Sequence, residues 1–111
     1  MKKKILIVED DESSLILLRA FLSRKGFEVH TCRSVEKASE MLLHESFDIH
    51  LIDLMLQGSL SGEVLISAGI KPTIVMSALD INPADLEAVV FLQKPYILDS
   101  LLHLINAMIP L

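Results

Sequence analysis

The chain has 111 residues, 51% apolar and 23% charged, a composition that suits one globular domain and excludes a disordered segment. A formal charge of −5 argues against nucleic acid as a direct partner, because binding a phosphate backbone needs a basic face. Cys32 is the one cysteine, which excludes an intramolecular disulfide or a cysteine-based zinc site, and no apolar run reaches the length of a membrane span.

In chain order, Lys2, Lys3 and Lys4 read as a solvated leader into a strand. Residues 4–8 carry a continuous apolar run, the pattern of a strand buried on both faces. That run ends in Glu9, Asp10, Asp11 and Glu12, four acids whose mutual repulsion raises pKa values and lowers stability unless something offsets it. A helix is expected over 13–25, with Leu15, Leu18 and Leu22 on one face and Gly26 as its C-terminal cap. Residues 27–32 alternate apolar with polar, as an edge strand does. Ser34 is the expected N-cap of a helix over 35–45 whose Ala38, Met41 and Leu42 face inward.

A third strand over 48–52 ends at Asp53. Gln57 to Gly62 is loop chemistry, and only a short helix fits between Gly62 and Gly69. A fourth strand is expected over 72–76, then Asn82-Pro83 opens a brief helix. Residues 89–92 form a fifth strand, Lys94-Pro95 a turn and 97–109 a final helix.

Strands alternating with helices imply βαβ units, hence an α/β fold of three layers with a parallel sheet between helices. Ligands of such sheets bind beyond the carboxyl ends of the strands, where strand order reverses. Those positions hold Glu9 and Asp10 after the first strand, Asp53 after the third, Ser77 after the fourth and Lys94 after the fifth. Three carboxylates crowded together call for a cation. Magnesium accepts hard oxygen ligands and bridges carboxylates to phosphate. Lys94 adds a second positive charge for anionic oxygens, and Ser77 a hydrogen bond to one of them. The set suits a phosphoryl group delivered onto or beside a carboxylate, which can itself be the nucleophile.

The stretches ILIVEDD (5–11), FDIHLIDLML (47–56), PTIVMSA (72–78) and FLQKP (91–95), in this order and spacing, resemble the receiver domain of bacterial two-component response regulators. The resemblance spans nearly all of the chain. It implies a flavodoxin-like fold with a five-stranded parallel sheet in the order 2-1-3-4-5, and one domain over residues 1–111. It implies Asp53 as phosphoacceptor and Mg²⁺ held by Glu9, Asp10, Asp53 and the backbone carbonyl of Met55. Ser77 would contact a phosphoryl oxygen, Lys94 would pair with it, and Phe91 would be the aromatic that swings inward when the hydroxyl moves. A cis peptide bond between Lys94 and Pro95 is implied as well. The phosphodonor would be a sensor histidine kinase or phosphotransfer protein, and the domain a phosphoacceptor rather than an enzyme with a turnover substrate. A cytoplasmic location is expected.

Each residue also has a plainer reading. Asp10 or Asp11 suits an N-cap, and Glu12 the first turn of a helix. Asp53 could form a turn, Ser77 could bond its own backbone, Lys94 could be a solvated turn lysine and Phe91 ordinary core. His50, in the third strand, reads as a satisfied buried histidine, and Cys32 as a small buried hydrophobe. A phosphatase of the haloacid-dehalogenase type would need a second aspartate two positions after the nucleophile, where Met55 stands.

Three features depart from the family pattern. Gln57 stands where a proline is usual, 62–71 and 80–88 shorten the third and fourth helices, and Ile97 replaces a polar N-cap. These departures motivate the alternative of a pseudo-receiver, a phosphorylation-independent interaction module. Met55 and Leu79, at positions that tune dephosphorylation, are apolar and cannot orient an attacking water, so a persistent phosphorylated form is expected. Leu98, Leu101, Ile105 and Met108 share one stripe of the last helix, with Leu102 and Ile109 off it. That breadth suits either a wide core face or contact with an output partner, a neighbouring domain or a second copy of the chain. The chain reads equally as a complete single-domain regulator and as the leading domain of a longer protein.

Overall fold

Branched aliphatic runs place three strands at the centre of the sheet, where both faces are covered. The computed structural model describes residues 2–56, 65, 70, 72–78 and 90–109. Among these the elements are β1 (Lys4–Val8), α1 (Glu12–Arg24), β2 (Glu28–Cys32), α2 (Val35–His44), β3 (Ile49–Asp53), β4 (Thr73–Ser77), β5 (Val90–Gln93) and α3 (Leu98–Met108). All strand pairs are parallel and the order is β2-β1-β3-β4-β5, as expected. The expected short helices over 62–71 and 80–88, the loop at Gln57 and Leu79 lie outside the described residues, Leu65 and Ile70 excepted.

Alternation along the strands sorts side chains into two layers. Ile5, Ile7, Ile49, Leu51, Ile74 and Met76 pack with Leu15, Leu18 and Leu22 of α1 and Leu101 and Ile105 of α3. Leu6, Val8 and Ile52 point the other way, into a cluster with Ala38 of α2, Phe47 and Leu65. With both faces buried, a slip of one residue would exchange the two layers, so register is strongly specified. β2 lies at the sheet edge, and only Cys32 of its five residues is buried.

The helix ends follow from short polar side chains and one glycine. Asp11 caps α1: its carboxylate accepts from the Ser14 N–H at 2.9 Å and the Ser14 hydroxyl at 2.7 Å. Ser34 caps α2, its Oγ accepting from the Lys37 N–H at 3.1 Å. At the other end of α1, Gly26 sits at φ +95°, the left-handed region where a Cβ is strained. The Gly26 and Phe27 N–H groups return to the carbonyls of Ser23 and Leu22, closing a Schellman motif. Ile97 precedes helix α3 and gives it no side-chain cap.

Ile109 corrects the helical stripe read from the sequence. It is buried in the core with Leu101 and Ile105 rather than lying off their face. At about 100° per residue, Ile109 falls nearly in line with Leu98 three turns earlier, so helical spacing itself puts it on the stripe. Its N–H still donates to the Ile105 carbonyl at 3.0 Å before the chain turns extended. Leu102 is half-buried.

His50 is the satisfied histidine expected, buried with Nδ1 2.9 Å from the Pro72 carbonyl, to which it donates. Burial holds its pKa below the ordinary imidazole value. Burial likewise pushes the Cys32 thiol up to about 11, which leaves it an inert core group at neutral pH. No helix among the described residues is long and apolar enough to cross a membrane.

Candidate functional site

Strand register alone brings the expected residues to one end of the sheet. Val8 pairs with Ile52, so Glu9 and Asp53 stand level just past that pair. Asp53 pairs with Met76 and Ser77 with Gln93, and the Lys94 N–H donates to the Ser77 carbonyl at 2.7 Å. Glu9 and Asp53 continue the alternation of the face that α1 and α3 cover. Ser77 and Phe91 belong to the opposite face, since Phe91 pairs with Val75, two residues before Ser77.

At the centre stands Lys94. Its Nζ lies 3.1 Å from Glu9 Oε2 and 3.0 Å from Asp53 Oδ2, a single ammonium bridging two carboxylates. Glu9 is 1% exposed and Asp53 6%, so neither acid can rely on water to disperse its charge. One carboxylate oxygen from each of Glu9, Asp10 and Asp53 lies within 4.8 Å of the others. The other Asp53 oxygen, Oδ1, accepts from the Met55 N–H at 3.0 Å, which fixes the carboxylate plane and the backbone leading to the Met55 carbonyl. Ser77 is fully buried at the end of β4, and Phe91 is half-buried on β5. The Lys94–Pro95 peptide bond is cis.

The electrostatics follow from this packing. Burial pushes the Glu9 carboxyl up to about 7, and the hydrogen bond and charge of Asp53 add to it; Lys94 opposes the shift without cancelling it. Burial pulls the Lys94 ammonium down, but its contacts with Asp53 and Glu9 outweigh that, and its pKa stands above the ordinary lysine value. The pocket therefore holds more negative charge than one ammonium balances. Three hard oxygen donors with an excess of negative charge fit a small divalent cation.

The four-acid run divides here. Glu9 and Asp10 belong to the pocket, Asp11 caps α1, and Glu12 occupies that helix's first turn. The cap reading thus holds for Asp11 and not for Asp10. Sequence reasoning missed Arg33, whose Nε and Nη2 donate to the Asp10 carbonyl at 3.2 and 2.8 Å. The signal was present: Arg33 directly follows β2, the one strand whose end was left out of the list of chemical positions.

Comparison with known proteins agrees with this geometry. A family model described as the response regulator receiver domain matches residues 5–106. The chain belongs to that family. Among curated relatives, the regulatory protein VanRB of Enterococcus faecalis is 29% identical over 117 residues, covering 98% of this chain and 53% of that protein. The transcriptional regulatory protein SrrA of Staphylococcus aureus is 36% identical over 56 residues, covering 50% of this chain and 23% of that protein. The receiver chain thus spans about half the length of VanRB, and its match to SrrA covers less. Among solved structures, a response regulator receiver domain (CheY-like) from Methylobacillus flagellatus superposes with a TM-score of 0.82 at 22% identity, covering 97% of this chain and 99% of that one. The receiver domain of a sensor histidine kinase from Pseudomonas aeruginosa, solved with a magnesium ion coordinated in its active site cleft, gives 0.80 at 22% identity, covering 97% and 98%. Both establish the same fold.

Proposed function

We propose that this receiver domain accepts a phosphoryl group on Asp53 from the phosphohistidine of a sensor histidine kinase or a phosphotransfer protein. The observation that carries the reading is the Lys94 ammonium bridging Glu9 and Asp53 at 3.1 and 3.0 Å, with Asp10 close by. An Asp53 carboxylate oxygen forms the new O–P bond as the donor's N–P bond breaks and its imidazole leaves. Asp53 is held for that attack by the Met55 N–H and by Lys94. Lys94 also lies where it can pair with a phosphoryl oxygen once charge develops there. Glu9, Asp10, Asp53 and the Met55 carbonyl would hold Mg²⁺, which when bound neutralises the acids and the phosphoryl oxygens.

The product replaces one carboxylate charge with a phosphoryl group carrying more, next to the end of β4. Ser77 would hydrogen-bond that group and Phe91 would respond to the movement of Ser77, a local change that biases two conformations of the domain. The switched surface would act on an output partner, an attached domain or a second copy through α3. We assign the whole of residues 1–111 to this one domain, acting in the cytoplasm without a separate turnover substrate.

Intact mass after incubation with Mg²⁺ and a small phosphodonor tests the proposal. Wild type should gain one phosphoryl group; Asp53→Asn, and wild type in chelator, should gain none. Saturable Mg²⁺ binding with no mass gain from any donor would replace this reading with that of a phosphorylation-independent module.

A further inference from the structure

We propose that Arg33 is a positioning residue for Asp10, pinning the β1–α1 loop so that the Asp10 carboxylate stays turned toward the cation pocket. The inference rests on the function proposed above.

Asp10 occupies an awkward place in the chain. The β1–β2 ladder runs on to the Glu9 N–H, which donates to the Cys32 carbonyl at 3.1 Å. The hydrogen bonding of α1 begins one residue beyond Asp10, where the Asp11 carbonyl accepts from the Leu15 N–H at 3.0 Å. The carbonyl of Asp10 thus falls between ladder and helix, where regular structure does not direct it. The side chains on either side go opposite ways, Glu9 into the pocket and Asp11 outward to cap α1. The peptide joining Asp10 to Asp11 is held on its N–H side by a long 3.3 Å bond to Glu9 Oε1, and rotation of that peptide would shift the backbone that carries the Asp10 carboxylate.

Arg33 opposes that rotation. Its Nε and Nη2 converge on the one carbonyl oxygen at 3.2 and 2.8 Å, so the planar fork restrains the direction of the carbonyl as well as its distance. Arg33 also follows Cys32 directly, so residues 32 and 33 together hold the backbone on both sides of the Glu9–Asp10 peptide. Water could solvate an exposed carbonyl equally well, but it would not fix the carbonyl's direction. The contact therefore serves the placement of a ligand more than the stability of the fold.

The guanidinium charge works against this role. A fixed positive charge beside a cation pocket disfavours Mg²⁺, whereas the clamp favours it by preorganising a ligand. Removing Arg33 therefore gives opposite signs for the two roles, which makes the proposal decidable.

The test is Mg²⁺ titration of ¹⁵N-labelled protein followed by amide shifts, with urea midpoints measured in parallel. Arg33→Ala should bind Mg²⁺ about three- to tenfold more weakly than wild type, at or below the lower end of effects usual for groups that orient metal ligands. Its urea midpoint should be unchanged. Arg33→Lys keeps the charge and offers a single donor, so it should fall between the two. Affinity in Arg33→Ala equal to or tighter than wild type would overturn the clamp, as would wild-type affinity in Arg33→Lys. If Arg33→Ala proves unstable, Arg33→Lys decides alone by the same criterion. The proposed function fails separately, through wild-type protein that binds no Mg²⁺ or an Asp10→Asn variant that binds it as well as wild type.

Discussion

Glu9 and Asp11 are two residues apart in one acidic run, and the fold moves their pKa values in opposite directions. Glu9 is 1% exposed, and burial followed by the neighbouring Asp53 pushes its carboxyl up to about 7. Asp11 is exposed, and the hydroxyl of Ser14, then its backbone N–H, hold its carboxyl below the usual aspartate value. Acidity is therefore not the property that these residues share with each other in function. The end of a buried strand makes one acid part of a charged pocket, and the start of a helix makes the other a cap. What separates them is where β1 stops and α1 begins.

Substitutions on the two sides of that boundary should have unlike consequences. Asp10→Asn, which keeps shape and removes a charged ligand, should weaken Mg²⁺ binding by roughly tenfold or more while leaving folding stability near that of wild type. Asp11→Ala should do the reverse. Loss of the cap should lower the urea midpoint by a few tenths of a molar, roughly, with Mg²⁺ affinity changed by less than about twofold. Calorimetric Mg²⁺ titration and urea unfolding of both variants would decide it. A metal defect in Asp11→Ala as large as that in Asp10→Asn would dissolve the boundary.

The opposite pKa shifts also give opposite pH dependences. For Glu9 the folded value, about 7, lies above the ordinary 4.5, so between these the folded domain holds a proton that the unfolded chain has lost. Its contribution to stability is full below 4.5 and is lost as pH rises through about 7. In metal-free protein this amounts to roughly 1–3 kcal/mol. The cap at Asp11 behaves the other way: present above its ordinary 3.8, lost as pH falls through the lower folded value. Urea midpoints from pH 5 to 8 in chelator should therefore fall with pH more steeply for wild type than for Glu9→Gln. Because a bound cation must displace the Glu9 proton, Mg²⁺ affinity should also weaken as pH drops below about 7. Parallel curves for wild type and Glu9→Gln would mean that Glu9 ionises as an ordinary carboxylate.

Much of this was legible in the sequence because the rules involved are local. KILIV, DIHLI and PTIVM read as buried strands, and their order with the helices implied a parallel sheet, so chemistry was sought at strand ends. Glu9, Asp10, Asp53, Ser77 and Lys94 all lie there. The single ammonium shared by Glu9 and Asp53 was not legible, because those residues are far apart in sequence and their spacing says nothing of distance. The family resemblance assigns Lys94 to phosphoryl oxygens; its partners in the structure are the acids themselves. Ile109 was misplaced because its angle on the helix was misjudged: it follows Leu98 by close to three full turns, which puts the two nearly in line and in the same core cluster. Arg33 acts through a backbone carbonyl, a contact that depends on loop geometry rather than on residue spacing.

The smallest expected effect concerns the one helix start in the described residues that lacks a polar cap. Ile97 precedes α3 at φ −94° and ψ 144°, already an N-cap conformation, yet its side chain offers the helix no acceptor and is 69% exposed. Asp11 and Ser34 show what the position accommodates: each accepts from the N–H three residues on. At α3 that donor is Ser100, whose N–H turns back to the Ile97 carbonyl at 3.1 Å. Ile97→Asp should let a carboxylate accept from Ser100 and meet the positive end of the helix, with no backbone movement required. Little burial is forfeited, because the isoleucine already stands in water. A gain of about 0.5–1 kcal/mol in urea unfolding is expected. Mg²⁺ affinity should not change, since Ile97 contributes nothing to the acidic pocket. A loss of stability instead would mean that the exposed isoleucine packs on neighbouring side chains more than its 69% exposure implies, and that α3 is held by that contact rather than by its cap.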